Sequence, residues 1–308
     1  MSSAEGVRLP ELGLVCITAS EAVRYKTITR KRLLALDPVD QKPTLRLLYA
    51  ENLRRLGLAI EFCHRYGIRL YRLPSSTFPF ADDPLGEDLL LELAAELAAV
   101  GQLAKTLGIR LVLHPDQFVV LNSDRPDVIL NSIKILSAHA QVFDLLGLLH
   151  SPWALMNIHG GKGGRAERLI SVIRDLPDPI RLRLTLENDE YTYGASQILE
   201  ICRAANLPMV FDAHHHIVHD RLESYEHPSV VELLAAARTT WPVPEWQLVH
   251  ISNGRNSFQD QQHSDFIYDM PSSYRQAPWI EIEAKRKEEA IARVQQEWLP
   301  TLYPACSA

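Results

Sequence analysis

The sequence predicts a (β/α)8 barrel, the TIM-barrel class of α/β fold, and three observations support this prediction. Apolar runs of strand length alternate with amphipathic helical patterns along the chain, which indicates a parallel sheet with helical crossovers. Eight strand-like runs occur in 308 residues, and this number fits a closed barrel better than an open doubly wound sheet. Neither a linker nor a low-complexity segment interrupts the pattern, so we expect a single domain over residues 1–308.

The eight strand signals are apolar runs, most of which end at a polar residue. The first, LGLVCIT, is strongly apolar and is followed by a basic segment. The sixth, PMVFDAH, passes directly into a row of histidines. In chain order the predicted strands cover residues 12–18, 68–73, 109–115, 153–161, 183–189, 208–214, 246–252 and 279–285.

The helical patterns repeat apolar residues every three or four positions, as one buried face of a helix requires. The first extends from residue 44 to Gly67, where a glycine predicts the end of the helix. The seventh unit is irregular, because residues 252–278 lack a convincing long helix. The other predicted helices cover residues 87–108, 126–147, 165–176, 196–206, 229–241 and 285–299.

Composition limits the classes of function that the chain can have. The formal net charge is -6, so the protein has no overall attraction for nucleic acid, and DNA binding needs a local basic patch. No run approaches the roughly 18 apolar residues of a membrane helix. The N-terminal segment MSSAEGVRLPELG also lacks the apolar core of a secretion signal. We therefore expect a cytoplasmic protein that binds no membrane and acts as a monomer.

The four cysteines give no sign of a structural cross-link. The spacing of Cys16, Cys63, Cys202 and Cys306 fits neither a zinc ribbon nor a disulfide framework. We interpret all four as reduced thiols, and we expect Cys16, inside the first predicted strand, to be a small core residue.

Ionisable residues lie at the ends of six predicted strands. In a barrel the carboxyl ends of the strands open onto one face, where active sites lie. A single histidine at a strand end is ordinarily a hydrogen-bonded residue. Six acids and imidazoles that converge in one cavity need a cation to compensate them, and carboxylate with imidazole suits Zn²⁺ or Mn²⁺ in a catalytic site. The six residues are His114, His159, Glu187, Asp212, His250 and Glu283.

Alternation along the strands supports a polar layer above an apolar interior. Side chains two residues apart share a face, so Val112 lies below His114, Thr185 below Glu187 and Val210 below Asp212. Two more histidines extend the set: His215 in the loop after the sixth strand, and His263 thirteen residues after His250. We expect them at the outer rim, where they would hold a further metal.

Nine short segments are distributed over nearly the whole chain: GLVCIT, YRLPSSTFPF, HPDQFVVLNSDRP, IHGGKGGR, LENDE, VFDAHHH, QLVHISNG, HSDFI and IEAKRKE. In sequence and in order, these segments together resemble those of the UV damage endonuclease family. Members are similar to endonuclease IV, a TIM barrel with up to three divalent metals, often manganese. The resemblance implies hydrolysis of the DNA phosphodiester 5′ to cyclobutane pyrimidine dimers and 6-4 photoproducts, which starts excision repair. Cleavage at abasic sites stays open.

The resemblance implies ligand sets that share one bridging carboxylate. One metal would be held by Glu187, Asp212, His250 and Glu283. A second would be held by His114, His159 and the bridging Glu187, and a third by His215 and His263. The expected cofactors are two or three divalent ions, Mn²⁺ first, with Zn²⁺, Mg²⁺ or Co²⁺ as alternatives. The six strand-end residues are therefore also the expected catalytic residues.

Other positions concern the lesion or depart from the family pattern. Gln117 and Phe118 match the Gln–aromatic pair that enters the duplex at the lesion, although many members have tyrosine at the second position. Some members have a histidine near Asp83 and a lysine, which can be carboxylated, where this chain has Leu248. These two departures leave the number of metals open.

A basic loop follows the first predicted strand on the same face as the acids. Five of the nine residues in RYKTITRKR, residues 24–32, are Lys or Arg. We expect Arg30, Lys31 and Arg32, together with Lys162 after the fourth strand, to contact the phosphates of double-stranded DNA. A solvated helix face would carry the same charges, and this alternative stays open.

Two other classes of protein would also account for parts of the sequence. A metal-dependent TIM-barrel sugar isomerase places His, Glu and Asp around its ions, but it needs neither the basic loop nor Gln117 and Phe118. A non-catalytic DNA-binding barrel needs no complete metal set. Nicking of irradiated plasmid with and without Mn²⁺ separates the three classes.

Overall fold

The computed structural model describes residues 9–302 and shows a closed parallel barrel of eight strands. The strands follow one another around the barrel in chain order, and the first strand pairs with the last. This arrangement confirms the predicted TIM-barrel class. Residues 1–8 and 303–308 of the predicted domain, and with them Cys306, lie outside the described residues.

Each strand is shorter than the apolar run that predicts it. Most of the predicted residues beyond the strands lie in connecting segments, because the hydrogen-bond ladder between tilted barrel strands covers only the middle of each run. Ala213 and His214, predicted in the sixth strand, lie instead in the helix that directly follows it. The strands are β1 (Glu11–Val15), β2 (Leu70–Leu73), β3 (Arg110–Leu113), β4 (Met156–His159), β5 (Leu184–Glu187), β6 (Met209–Asp212), β7 (Leu248–Ile251) and β8 (Trp279–Ile282).

Helices connect the strands on the outside of the barrel. Within residues 9–302 no helix has both the length and the apolar character needed to cross a membrane. The α-helices are α1 (Arg30–Leu34), α2 (Pro38–Arg65), α3 (Pro84–Glu92), α4 (Ala94–Leu107), α5 (Pro126–Leu145), α6 (Ala166–Arg174), α7 (Asp178–Arg181), α8 (Ala195–Ala205), α9 (Ala213–Asp220), α10 (Pro228–Arg238) and α11 (Lys287–Glu297). Short 3-10 helices cover Ser75–Thr77, Pro152–Ala154, Pro244–Trp246, Ser272–Gln276 and Leu299–Leu302.

Two helix predictions were wrong in their bounds. The predicted helix over residues 87–108 is two helices, because the backbone of Leu93 leaves helical geometry (φ -100°, ψ 16°) between α3 and α4. No glycine or proline marks this position, so periodicity alone does not indicate the break. Helix α2 begins at Pro38, six residues before the predicted start, and Pro43 lies inside it. The irregular seventh unit is confirmed, since its helical part is only the 3-10 helix Ser272–Gln276.

A cluster of apolar side chains fills part of the barrel interior below its upper end. Val112, Val210 and Leu248 lie in this interior, which confirms the alternation that the sequence predicts. The complete interior cluster consists of Leu70, Val112, Leu155, Val210, Trp241, Leu248 and Trp279. A larger apolar layer packs between the strands and the surrounding helices. The barrel therefore supports the ends of its strands on a rigid base.

The lower end of the barrel, which we call the floor, contains one buried charge. The guanidinium of Arg110, the first residue of β3, donates hydrogen bonds to the carbonyls of Trp153, Trp246 and Pro152. It also lies 4.7 Å from the ring centroid of Trp153 and 5.1 Å from that of Trp279. Burial lowers the pKa of Arg110 to about 9, which leaves it charged at neutral pH. Carbonyls and aromatic faces contact this charge directly, and the carboxylate of Glu281 acts on it from farther away.

Candidate metal centre

The upper end of the barrel, which we call the mouth, brings the predicted strand-end residues together. His159, Glu187 and Asp212 are the last residues of their strands, and His114 and Glu283 directly follow β3 and β8. A pocket of about 620 Å³ opens there. Its lining consists of Cys16, Arg72, His114, Pro115, Asp116, Gln117, Phe118, His159, Glu187, His215 and Glu283.

Glu187 lies at the centre of this mouth. Its side chain is 1% exposed, and its Oε1 lies 3.0 Å from Nδ1 of His250 and 3.3 Å from Nδ1 of His215. Its Oε2 lies 3.5 Å from Nε2 of His114 and accepts a hydrogen bond from the side-chain amide of Asn157. Both carboxylate oxygens therefore face imidazoles, the arrangement that a bridging ligand requires.

Three groups of side chains place their ligand atoms within 4.8 Å of one another. They are His114, His159 and Glu187; then Glu187, Asp212 and His215; and finally His250, Glu281 and Glu283. The first group is the same as one set implied by the resemblance. In the second, His215 lies with Asp212 rather than with His263. Nδ1 of His263 lies 3.9 Å from Glu283, and His263 belongs to none of the groups found among residues 9–302.

The position of His215 differs from the predicted loop. It lies in the first turn of α9, which begins directly after β6, so the loop prediction was wrong. The cause is Asp212, whose side chain accepts a hydrogen bond from the His215 N–H and thereby caps the helix. The helix turns the His215 ring toward Glu187 and Glu190.

Unpartnered buried atoms at the mouth fit a bound cation. Oδ2 of Asp212 and Nδ1 of His159 are buried without a hydrogen-bond partner. A buried carboxylate oxygen without a donor costs free energy, and a divalent cation would remove this cost. The donors are imidazole nitrogens and carboxylate oxygens, a set that suits Mn²⁺ or Zn²⁺. The residues present therefore fit the expected metal.

The carboxylates at the mouth raise the pKa of two of its histidines, His250 and His215. Burial by itself would lower the pKa of His250, but the carboxylates of Glu187 and Glu281 raise it well above its usual value. The pKa of His215 is raised in the same way, by Asp212 and Glu187 against burial. The pKa of Glu187 is held well below its usual range, because His250 and His159 outweigh the effect of burial. A metal would take the place of protons on these rings.

Comparison with known proteins decides the family. The sequence model of the family described as UV-endonuclease UvdE matches residues 10–302. The chain belongs to this family. It is 54% identical over 292 residues to the UV DNA damage endonuclease of Nostoc sp. (strain PCC 7120 / SAG 25.82 / UTEX 2576), with 94% of this chain and 91% of the relative covered. It is 52% identical over 287 residues to the enzyme of the same name from Deinococcus radiodurans, with 92% and 94% covered.

Solved structures agree with this UvdE-family membership. The crystal structure of SacUVDE aligns with a TM-score of 0.78 at 26% identity and covers 93% of this chain and 97% of that one. Endonuclease IV from Thermus thermophilus aligns with a TM-score of 0.58 at 14% identity, over 95% and 100% of the two chains. At that identity the second likeness shows the fold alone.

The residues expected to bind DNA lie around the mouth of this UvdE-family barrel. Gln117 and Phe118 line the pocket, and the Phe118 ring is 68% exposed. Lys31 and Arg32 are exposed in α1. Nζ of Lys162 lies 3.7 Å from Asp124, so part of its charge is already compensated.

The two positions that depart from the family pattern have structural roles of their own. Asp83 lies 2.6 Å from Arg30 and 3.5 Å from Lys134, and it belongs to none of the three ligand groups. Leu248 is fully buried in the barrel interior, below His250. An ion pair thus occupies the first position, and apolar packing occupies the second.

The sequence prediction missed three polar residues and misplaced one cysteine. The three polar residues are Arg72, Asn157 and Glu281, and their side chains point into the barrel. Asn157 donates a hydrogen bond to the carboxylate of Glu187 and accepts one from the hydroxyl of Thr185. Alternation along IEIEAK does place Glu281 on the face of Glu283, but an apolar lower layer was expected. Cys16 is not a core residue, because the chain leaves β1 at this position with φ 65° and the thiol lines the mouth pocket. Cys63 and Cys202 are free thiols, as expected, and both are buried.

Proposed function

We propose that this UV DNA damage endonuclease hydrolyses the phosphodiester 5′ to UV photoproducts with two or three divalent cations, Mn²⁺ first, bound at the mouth. One observation carries the proposal: Glu187 is buried at the point where imidazoles from three other segments meet, with both oxygens facing them. The unpartnered Oδ2 of Asp212 beside it supports the same interpretation. The names of the relatives support the substrate.

The side chains at the mouth have distinct tasks in this proposal. Bound cations supply a hydroxide at neutral pH and stabilise the charge on the phosphate and the leaving oxygen. Glu187 would contribute to the binding of two ions, because it belongs to two ligand groups, and Asn157 donates a hydrogen bond that orients its carboxylate. His114 and His159 would hold one ion with it, and Asp212 and His215 would hold another. No serine or cysteine nucleophile is needed.

DNA binding in this proposal uses the rim of the mouth. Lys31, Arg32 and Lys162 contact phosphates, which fixes the duplex without reading its sequence. Phe118 fills the space that the damaged bases leave when they are turned out of the stack. Such bases pair and stack poorly, so the free energy needed to expose them is lower than for intact DNA.

The test is nicking of UV-irradiated supercoiled plasmid by the purified chain. After treatment with EDTA we expect no nicking, and addition of Mn²⁺ should restore it, with Mg²⁺, Zn²⁺ and Co²⁺ compared at equal concentration. Unirradiated plasmid is the control for substrate. Full activity in EDTA would refute the metal-dependent reaction. Retention of irradiated plasmid without nicking would instead indicate a DNA-binding barrel.

A count of bound ions tests the ligand groups separately from the reaction. Titration of metal-free protein with Mn²⁺, followed by the electron paramagnetic resonance signal of free Mn²⁺, gives the number of ions per chain. We expect two or three. A value of zero or one would contradict the bridging role of Glu187, whatever the nicking assay shows.

A further inference from the structure

Below one acid of the mouth, the next residue that points into the barrel is a second acid. Below His114 and Asp212 the next inward residues are the apolar Val112 and Val210. Below Glu283, by contrast, the next inward residue is Glu281, which is 0% exposed. A second carboxylate at this depth is unfavourable unless the surrounding groups make use of its charge.

Arg72 of β2 compensates this second carboxylate. It is 7% exposed, and its guanidinium lies 3.3 Å from Glu281 and 2.5 Å from Glu283. One arginine therefore contacts both Glu281, in β8, and Glu283, directly after β8. Its Nε and both oxygens of Glu281 make no well-directed hydrogen bond, so the contact between Arg72 and Glu281 is ionic rather than a complete hydrogen-bonded pair.

A glycine in β1, which has no side chain, provides the space for the side chain of Glu281. Gly13 lies directly opposite Glu281 in the β1–β8 register. A Cβ at Gly13 would lie 3.1 Å from Cγ of Glu281 and 2.4 Å from Cδ2 of Leu70. The smallest residue thus stands where the longer side chain needs room.

His250 lies between this deep carboxylate and the ligand groups above it. His250 is directly opposite Glu281 in the β7–β8 register, and its Nε2 lies 2.6 Å from Oε2 of Glu281. Its other ring nitrogen, Nδ1, lies 3.0 Å from Glu187 and 3.4 Å from Glu283. The two nitrogens of one ring therefore face two different carboxylate environments.

We propose that Glu281, held by Arg72, is a positioning residue for His250. Nε2 of His250 lies 2.6 Å from Glu281 but makes no well-directed hydrogen bond. With a cation bound, Glu281 would accept the Nε2–H of the ring and leave Nδ1, which faces Glu187 and Glu283, as the ligand atom. A histidine that binds a metal through one nitrogen ordinarily donates the other N–H to a carboxylate or carbonyl, which fixes both the ring and its tautomer. This inference rests on the proposed metal centre, and it assigns Glu281 a role beside that centre rather than as a ligand.

The test compares Mn²⁺ binding by wild type and Glu281→Gln. Removal of such an outer partner typically lowers metal affinity about 10- to 100-fold. We expect a loss of this size for one ion, with the number of ions unchanged. The Mn²⁺ concentration for half-maximal nicking should rise by the same factor, while kcat at saturating Mn²⁺ stays within about threefold of wild type. Asp144→Asn is the matched control, because Asp144 lies 2.7 Å from the buried Arg183, outside the barrel.

Two results would overturn the proposal. An unchanged affinity in Glu281→Gln would show that the deep carboxylate has no influence on His250. Loss of one ion from the count would show that Glu281 is itself a ligand. Absence of Mn²⁺ binding by wild type is a different outcome, since it refutes the metal centre as a whole.

A second variant covers the case in which Glu281→Gln does not fold. Arg72→Met with Glu281→Leu removes both deep charges together, and Glu283, which loses its contact with Arg72, keeps its contact with His250. We expect this variant to fold and to bind Mn²⁺ at least tenfold more weakly than wild type. Wild-type affinity in the double variant would contradict the positioning role.

Discussion

The two ends of the barrel both bury charge, but they compensate it in different ways. At the floor, the donors of Arg110 meet three carbonyls, and aromatic rings cover the guanidinium. At the mouth, acids and imidazoles crowd around Glu187, and Asp212 and His159 keep buried atoms without partners. Buried charge is common to both ends, so it does not identify a site. Incomplete pairing of that charge distinguishes the mouth.

Glu187→Gln should have the largest effect on function. The amide keeps the shape of the side chain but removes the charge that would join two cations. We expect nicking of irradiated plasmid to fall by more than the roughly 100-fold lost when an outer-shell partner is removed, with circular dichroism unchanged. Near-normal turnover at saturating Mn²⁺ would refute the proposed role of Glu187 as the carboxylate shared by two cations.

Arg110→Met at the floor should affect stability instead of activity. Three carbonyls lose their donor, and each orphaned acceptor costs about 1–3 kcal/mol, so we expect the free energy of unfolding to fall by at least about 3 kcal/mol. Urea denaturation measures this change. Nicking per folded molecule, assayed well below the transition, should equal that of wild type. A loss of nicking without a loss of stability would mean that the floor of the barrel influences the activity at the mouth.

Phe118→Ala tests whether the rim of the mouth recognises damage. Stacking of one base on an aromatic ring is worth about 1–3 kcal/mol. The preference for irradiated over intact duplex should therefore fall by about one to two orders of magnitude, with Mn²⁺ content unchanged. Phe118→Tyr is the control, because it keeps the face of the ring. If Phe118→Ala discriminates as well as wild type, the ring is loop packing, and damage is sensed through the bend of the DNA.

Lys31→Ala with Arg32→Ala should have the smallest effect, and it compares the two ends directly. A plot of log affinity against log salt has a negative slope, and each lost phosphate contact reduces the magnitude of this slope by about 1. We therefore expect the magnitude to fall by about 2 in total, for damaged and intact duplex alike. The control carries the same change of charge at the floor: Arg69→Ala with Lys105→Ala, two residues that line the pocket there. Equal decreases in both variants would show that DNA does not lie at the mouth. Arg30→Ala should change the slope less than Arg32→Ala, because Arg30 is already paired with Asp83.

Strand periodicity could predict which residues reach the mouth, but not which of them meet. Each of the eight strands was predicted, and alternation correctly placed Val112 and Val210 in the interior. The contact between His215 and Asp212 could not be predicted, because it depends on a helix that begins without a linker. Glu281 was missed for a related reason. A period of two gives the face of a side chain, whereas its depth depends on the register between strands and on the room left by Gly13.

The break between α3 and α4 also lies beyond a prediction from the sequence. Helical periodicity continues through Leu93 without a change in composition. The break is a property of the tertiary packing around Leu93, which is 2% exposed. Local propensity is a weak guide wherever packing decides the backbone.

Because Asp212 both caps α9 and belongs to the candidate metal site, unfolding of the first turn of this helix would disrupt the site. One oxygen of Asp212 accepts the His215 N–H, and only the other remains for an ion. If the first turn of α9 opens, the amide of His215 exchanges with solvent and the ring leaves its place beside Glu187 at the same moment. Release of an ion and fraying of this helix are then a single event. The exchange rate of one amide proton would therefore report how often the site comes apart.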